Sequence, residues 1–245
     1  MSGDEHDADD NGADGTGADG TGAGRSDPDG EPPAGPSEWA VPGQVGVGPW
    51  VGPRPDDARY DPDLLDHGDT RNVVDAYRYW RREAVAADQA ARAHPFHVAI
   101  ENFGHDHNIG TVVRTANAFG AAGVHIVGRR RWNRRGAMVT DRYLDVRHHD
   151  DVTALFVFAA ERGLAVVAVD NTPGARPLET AALPRECVLL FGQEGPGVTG
   201  EARAAAAMTV SIAQFGSTRS INAGVAAGIA MHAWIRLHAD LSTAW

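Results

Sequence analysis

The chain has 245 residues, 42% of them apolar, enough for one sizeable core with an extension. It holds no run of about 18 apolar residues, so no membrane span is expected, and no basic start before an apolar segment marks a secretory leader. The formal charge of −11 would disfavour an anionic partner if evenly spread; however, ten Asp or Glu and one Arg fall within residues 1–36, which leaves only −2 for the remainder.

Residues 1–58 are rich in Gly, Asp and Pro, with the repeat ADGTGADGTGAG, and lack the apolar content to offset chain entropy. They are expected to form a disordered acidic tail. Residues 59–94 read as a helical extension. From Asn72, the residues Val73, Tyr77, Trp80, Ala84 and Ala87 recur at helical spacing, and Arg78, Arg81 and Arg82 leave a basic side. This helix is expected to pack on the domain that follows, residues 95–245.

From Pro95 the pattern alternates. HVAIEN predicts a strand, and HNIGTVVRTANAF predicts a helix closed by Gly120. VHIVG predicts a strand, DVTALFVFAAER a helix ended by Gly163, and LAVVAVDN and CVLLFG two further strands. TGEARAAAA predicts a short helix, MTVSIA a strand, and SINAGVAAGIAMHAWIRLHADL a long final helix. Continuous apolar strands alternating with helices predict an α/β fold, with a mostly parallel sheet covered on both faces. The small residues of the last helix predict that it is buried, against its own domain or a second copy. Cys187, the one cysteine, excludes an intramolecular disulfide and suits a reducing cytoplasm; its apolar surroundings predict a buried hydrophobe.

Ligands of such sheets collect at the carboxyl ends of strands. Three strand ends here carry unusual polar residues. After the first, Asn108 is placed to cap a helix, with Gly110, Arg114 and Asn117 together on one face and an open space expected at Gly110. A helix N-terminus, a gap and an Arg suit a phosphate or nucleotide. After the second, Glu194 stands among Gly192, Gly195 and Gly197. After the third, Gln214, Gly216, Ser217, Thr218, Arg219, Ser220 and Asn222 crowd before the last helix, with Ser220 a possible N-cap. No dinucleotide turn, P-loop or Gly-x-Ser-x-Gly elbow is present. His148 and His149 have no matching ligand pair elsewhere, so no metal site is expected.

Together the three segments resemble the SpoU/TrmH family of RNA 2′-O-ribose methyltransferases. The first motif is matched by Asn108, Gly110 and Arg114, the second by Gly192, Glu194 and Gly195, and the third by Ile212, Gly216, Ser220, Ile221 and Asn222. The chain departs at Ala213, Ile221, Ala223 and Gly224, where the family often has Pro, Leu, Val and Ser. The resemblance implies a SPOUT-type sheet with a C-terminal trefoil knot, S-adenosylmethionine bound in the knot, and a homodimer. It implies methyl transfer to a ribose 2′-hydroxyl of tRNA or rRNA, carried by Asn108, Arg114, Glu194, Ser220 and Asn222. Gly192, Gly195, Ile212, Gln214, Gly216 and Ile221 would contact the cofactor, largely through backbone. A catalytically silent RNA-binding module of the same fold and a knotted base methyltransferase are the competing readings; the intact polar residues and the Ser-x-Asn third motif favour ribose methylation.

RNA needs a positive surface. GRRRWNRRG offers Arg129, Arg130, Arg131, Arg134 and Arg135, with Trp132 placed to stack on a base.

Overall fold

The computed structural model describes residues 46–102 and 108–243. Of the expected tail, residues 1–45 lie outside the described residues. Residues 46–58 belong instead to the extension. Val47 bridges Asp69 in antiparallel fashion, and the Trp50 ring meets the rings of Tyr60 and Tyr79 edge-on, with centroids 6.0 and 5.3 Å apart. The tail boundary expected at 58 is therefore too far along the chain.

The extension starts with helix α1, Pro62–His67, capped by Asp61 with Pro at its first position. The single helix expected from Asn72 is two pieces, a 3₁₀ turn at Asp75–Tyr77 and helix α2, Arg82–Ala91. Asp69 causes the break. It is fully buried and accepts from the Arg71 guanidinium at 2.8 and 2.6 Å, from Arg71 N at 3.0 Å and from Tyr79 N at 2.9 Å. Burial alone would raise this carboxyl, but the Arg71 and backbone donors hold it below the usual carboxylate range. Meeting it puts Tyr79 at φ 64, a left-handed conformation that interrupts the helix. The expected basic side is also partly tied down, because Arg78 donates to Arg71 O at 2.6 Å and Arg81 to Tyr60 O at 3.0 Å. Tyr77 and Val85 pack with Tyr143, which fastens the extension to the domain.

The domain is built on a seven-stranded sheet, all of whose pairs are parallel. Its strands are β1 His94–Asn102, β2 Ala121–Gly128, β3 Val146–His149, β4 Ala165–Val169, β5 Arg176–Pro177, β6 Cys187–Phe191 and β7 Met208–Ser211, in the order β3-β2-β1-β6-β4-β7-β5. The edge strands β3 and β5 lack an apolar run and were not legible in the sequence. The helices are α3 Ile109–Ala118, α4 Val152–Glu161, α5 Gly200–Ala205 and α6 Ala223–His238. Gly120 and Gly163 follow α3 and α4 at φ 61 and 66, as expected of glycines that end helices.

Alternation along the strands builds two cores. Cys187, Leu189 and Phe191 of β6 join Val112 and Val113 of α3 and Ala227, Met231 and Trp234 of α6 on one face; Val188 and Leu190 join Leu155 of α4 and Ala202 of α5 on the other. Helices thus cover both faces. Cys187 is fully buried, and burial pushes its thiol up to about 12, as suits a small hydrophobe. The final helix begins later than expected, at Ala223, because Asn222 rather than Ser220 caps it: Asn222 Oδ1 accepts from Gly224 N at 2.9 Å and Val225 N at 3.2 Å.

Candidate active site

The order β1-β6-β4-β7 brings the loops after β1, β6 and β7 to one edge of the sheet. Asn222 joins all three. Its Nδ2 donates to Asn108 Oδ1 at 2.9 Å and to Glu194 Oε1 at 2.8 Å, while its Oδ1 caps α6. Both of its amide hydrogens are spent on a junction of the three motifs. Asn108 stands at the start of α3, but its side chain makes no capping bond; it serves the junction instead.

Gly110 does something other than expected. It leaves no gap for a ligand: a Cβ there would lie 2.7 Å from Gly136 Cα and 2.8 Å from Ala137 N. Its smallness lets the backbone that follows the arginine loop press onto α3. Gly192 likewise faces protein, since a Cβ would fall on the Gly197 carbonyl and Val198 N. Gln193 and Gly197 exchange backbone bonds at 3.2 and 3.0 Å, which closes the turn around Glu194. Gly195 is different, with φ 91 and no atom within 4 Å of the position of a Cβ.

In the third loop, Gly216, Ser217, Thr218, Arg219 and Ser220 are exposed, Phe215 is 97% exposed, and Ile212 and Ile221 are half-buried. Gln214 Oε1 is buried without a hydrogen-bond partner among the described residues. Asn171 Nδ2 holds Arg219 O at 2.8 Å, and Glu179 Oε1 accepts from Ala213 N at 3.0 Å. Of the five expected catalytic residues, Asn108, Glu194 and Asn222 meet. Ser220 makes no hydrogen bond among the described residues. Arg114 is exposed, its side chain makes no hydrogen bond or ion pair among the described residues, and it lines a cleft of about 1090 Å³. The cleft lies between α3 and α2 at the amino ends of β1 and β2, where His94 and Ala121 line it with Gln89, Asn117 and Tyr143, and none of Asn108, Glu194 and Asn222 reaches it. Asn117, expected beside Arg114, donates to Gln89 Oε1 at 2.9 Å.

The arginine loop leaves β2 with Arg129, Arg130, Arg131, Arg134 and Arg135 exposed. Asn102 Nδ2 fastens it by donating to Arg129 O at 2.6 Å and Arg131 O at 3.1 Å. Trp132 is less available than expected: it is half-buried against the main core, with the Arg134 guanidinium 5.6 Å from its ring centroid. Arg134 also reaches Asp141 at 3.4 Å. Of the expected histidine pair, His148 turns to Gly128 O at 2.7 Å and His149 to His125 at 2.8 Å.

Two acids that passed unremarked in the sequence hold the second loop from beneath. Glu101 accepts from Thr199 N and Oγ1, and Asp170 accepts from Val198 N and Arg203. The signal for Glu101 was an acid at the end of the apolar run HVAI.

A parallel sheet with three motif loops meeting at one edge defines a class, and the sequence profile of the SpoU rRNA Methylase family matches residues 95–232; the chain belongs to that family. It is 31% identical over 140 residues to the tRNA (guanosine(18)-2′-O)-methyltransferase of Thermus thermophilus, covering 54% of this chain and 70% of that one. The fold is similar to that of the A. aeolicus TrmH/SpoU tRNA modifying enzyme, with a TM-score of 0.57 and 22% identity over 64% of this chain and 82% of the other. It is also similar to the SpoU methyltransferase AviRb from Streptomyces viridochromogenes in complex with AdoMet, with a TM-score of 0.54 and 23% identity over 61% and 60%.

Proposed function

We infer that the chain is an S-adenosylmethionine-dependent methyltransferase acting on a ribose 2′-hydroxyl of RNA. The observation that carries this is the Asn108–Asn222–Glu194 junction, which unites the three family motifs in a chain of that family. tRNA is the substrate we propose, because the relative from Thermus is named for that reaction.

The residues present suit the cofactor. Gln214 Oε1, buried and without a partner among the described residues, would be available to accept from a donor such as an adenine amine or the α-ammonium, and nothing crowds the Cβ positions of Gly195 and Gly216. Gly192 and Gly195, with Ile212, Gln214, Gly216 and Ile221, would hold it. When bound, S-adenosylmethionine supplies an electrophilic methyl on sulfur. The chain's own task is to align a 2′-oxygen, to stabilise the charge that develops there and to let the hydroxyl proton pass to solvent as the carbon–oxygen bond forms. A guanidinium has no acceptor and keeps its protons in proteins, so Arg114 is not assigned as a base. It binds the target phosphate and stabilises the developing oxyanion. Asn108, Asn222 and Glu194 fix the loops, and Ser220 lies free on the same loop to meet the ribose. Arg130, Arg131 and Arg135, whose side chains have no partner among the described residues, present charge to the RNA backbone.

We also propose the trefoil knot, a homodimer and a cytoplasmic setting. Bonds from Asn222 and Arg219 back to the earlier loops support the first. Val225 and Ile229, one turn apart on α6 and 54% and 40% exposed, give an apolar stripe for a second copy. The single cysteine supports the third. The decisive experiment is transfer of labelled methyl from S-adenosylmethionine to tRNA and to rRNA transcripts, followed by nuclease digestion and mass spectrometry. A 2′-O-methylnucleoside is expected from tRNA; a methylated base, or no product, overturns the reading.

A further inference from the structure

We propose that Glu101 and Asp170 are positioning residues for the turn that carries Glu194, and that they govern affinity for S-adenosylmethionine rather than the rate of methyl transfer. The proposal rests on the cofactor assignment above. In the sheet, β6 lies between β1 and β4, with Phe191 in register with both Ile100 and Val169. Glu101 and Asp170, one residue further on, therefore flank Gly192 at the level where the turn begins. Each reaches the returning leg of the turn. Glu101 Oε2 accepts from Thr199 N at 2.9 Å, and its Oε1 accepts from Thr199 Oγ1 at 2.6 Å. Asp170 Oδ2 accepts from Val198 N at 3.1 Å and Arg203 Nη1 at 2.9 Å, and the same Arg203 nitrogen donates to Val198 O at 2.5 Å. Gly197 faces Asp170, and a Cβ there would come within 2.9 Å of both carboxylate oxygens.

Two successive residues of the turn are thus held from both sides of β6, and the Gln193–Gly197 bridge closes what lies beyond them. The tip with Glu194 and Gly195 is fixed relative to the sheet before any ligand arrives. Stability alone does not account for the choice of residue. Glu101 is 1% exposed, and burial pushes its carboxyl up against the opposing pull of the Thr199 bonds. An apolar side chain would fill that space without the desolvation of a carboxylate. What an apolar side chain cannot do is hold Thr199, and preorganisation of a binding loop acts chiefly on affinity.

The test uses the full-length protein, cofactor titration, steady-state kinetics on tRNA and hydrogen exchange. Glu101→Leu should raise the KM and Kd for S-adenosylmethionine roughly tenfold or more, with kcat at saturating cofactor within about threefold. The KM for tRNA should not move. Amide exchange should accelerate across residues 193–199. Glu101→Gln keeps an acceptor for Thr199 N and should restore near-normal affinity and exchange. If Glu101→Leu fails to fold, Thr199→Val against Thr199→Ser, and Asp170→Asn, carry the same comparison. Unchanged cofactor affinity and unchanged exchange in folded variants would overturn the proposal, as would a fall in kcat with KM intact. If the wild type methylated no RNA, the functional reading would fail, whereas cofactor titration and exchange would still decide this proposal.

Discussion

Asn222 Nδ2 lies 2.8 Å from Glu194 Oε1, so the cap of the last helix and the carboxylate of the turn after β6 form one hydrogen-bonded unit. The same amide reaches Asn108, and the link is directional: Asn222 donates and both partners accept. Asn222→Asp keeps a good helix cap but sets a carboxylate against Glu194. It should hold thermal stability near wild type while lowering methyl transfer. Part of the activity should return as pH falls, because a proton taken up by the facing pair restores a donor. Asn222→Ala should lose about 1 kcal/mol of stability with the cap. Thermal melts and single-turnover assays at several pH values separate the two.

Arg114 projects from α3 into the cleft with no bond among the described residues, so its removal leaves no buried partner behind. Arg114→Ala should lower kcat by roughly 10²–10³-fold, the usual cost of losing one donor to a developing oxyanion. The Kd for S-adenosylmethionine and the melting temperature should stay near wild type. Calorimetric titration beside turnover measurements checks this; normal turnover in folded protein would remove Arg114 from the reaction.

The glycines separate by what they face. Gly110→Ala must displace the backbone at Gly136, and Gly192→Ala the backbone at Gly197. Each should cost about 1–3 kcal/mol or more. Gly195→Ala has open space and should cost only the strain of a positive φ, about 1–2 kcal/mol. Urea denaturation of the three variants gives the ranking.

His97, His125 and His149 form a chain across β1, β2 and β3, with ring nitrogens 3.0 and 2.8 Å apart and the Phe158 ring packed on all three. Burial lowers His97 to about 4 and His125 to about 2, and it lowers His149 as well; Arg147 adds to each shift. Asp145 acts the other way on His97, and Arg162 adds to the lowering of His97 and His125. All three take up protons less readily in the folded chain than in the unfolded chain, which charges its histidines near pH 6.5. Their contribution to stability is therefore complete above that pH and falls as the pH drops toward 4. The slope is up to about 1.4 kcal/mol per pH unit for each histidine. His97→Phe should flatten the dependence of urea midpoint on pH between 6.5 and 4.

Arg130, Arg131 and Arg135 have no side-chain partner among the described residues, whereas Arg134 is engaged with Asp141 and Trp132. Neutralising the three together should weaken tRNA binding and reduce the log–log salt slope by roughly 0.7–0.9 for each phosphate left without its arginine. Cofactor affinity should not change. Filter binding at several salt concentrations measures both, and an unchanged slope would move the RNA site elsewhere.

Legible in the chain before any folding were the alternation of apolar strands and helices, the glycines that end α3 and α4, the burial of Cys187, and three motifs whose order marked the family. These are local or one-dimensional signals: periodicity, composition and spacing. What the residues meet came from the fold alone. Gly110 looked like a gap for a ligand and is a seat for Gly136, because only the fold brings the loop after β2 onto α3. Asn108 looked like a cap and bonds Asn222, 114 residues away. Glu101 drew no notice at a strand end, and its partner Thr199 is 98 residues distant. The helix expected from Asn72 breaks because buried Asp69 draws Tyr79 N toward it, and helical spacing carries no trace of that. Pairings of this kind follow from the order of strands in the sheet, where β6 lies between β1 and β4, and no local pattern encodes that order.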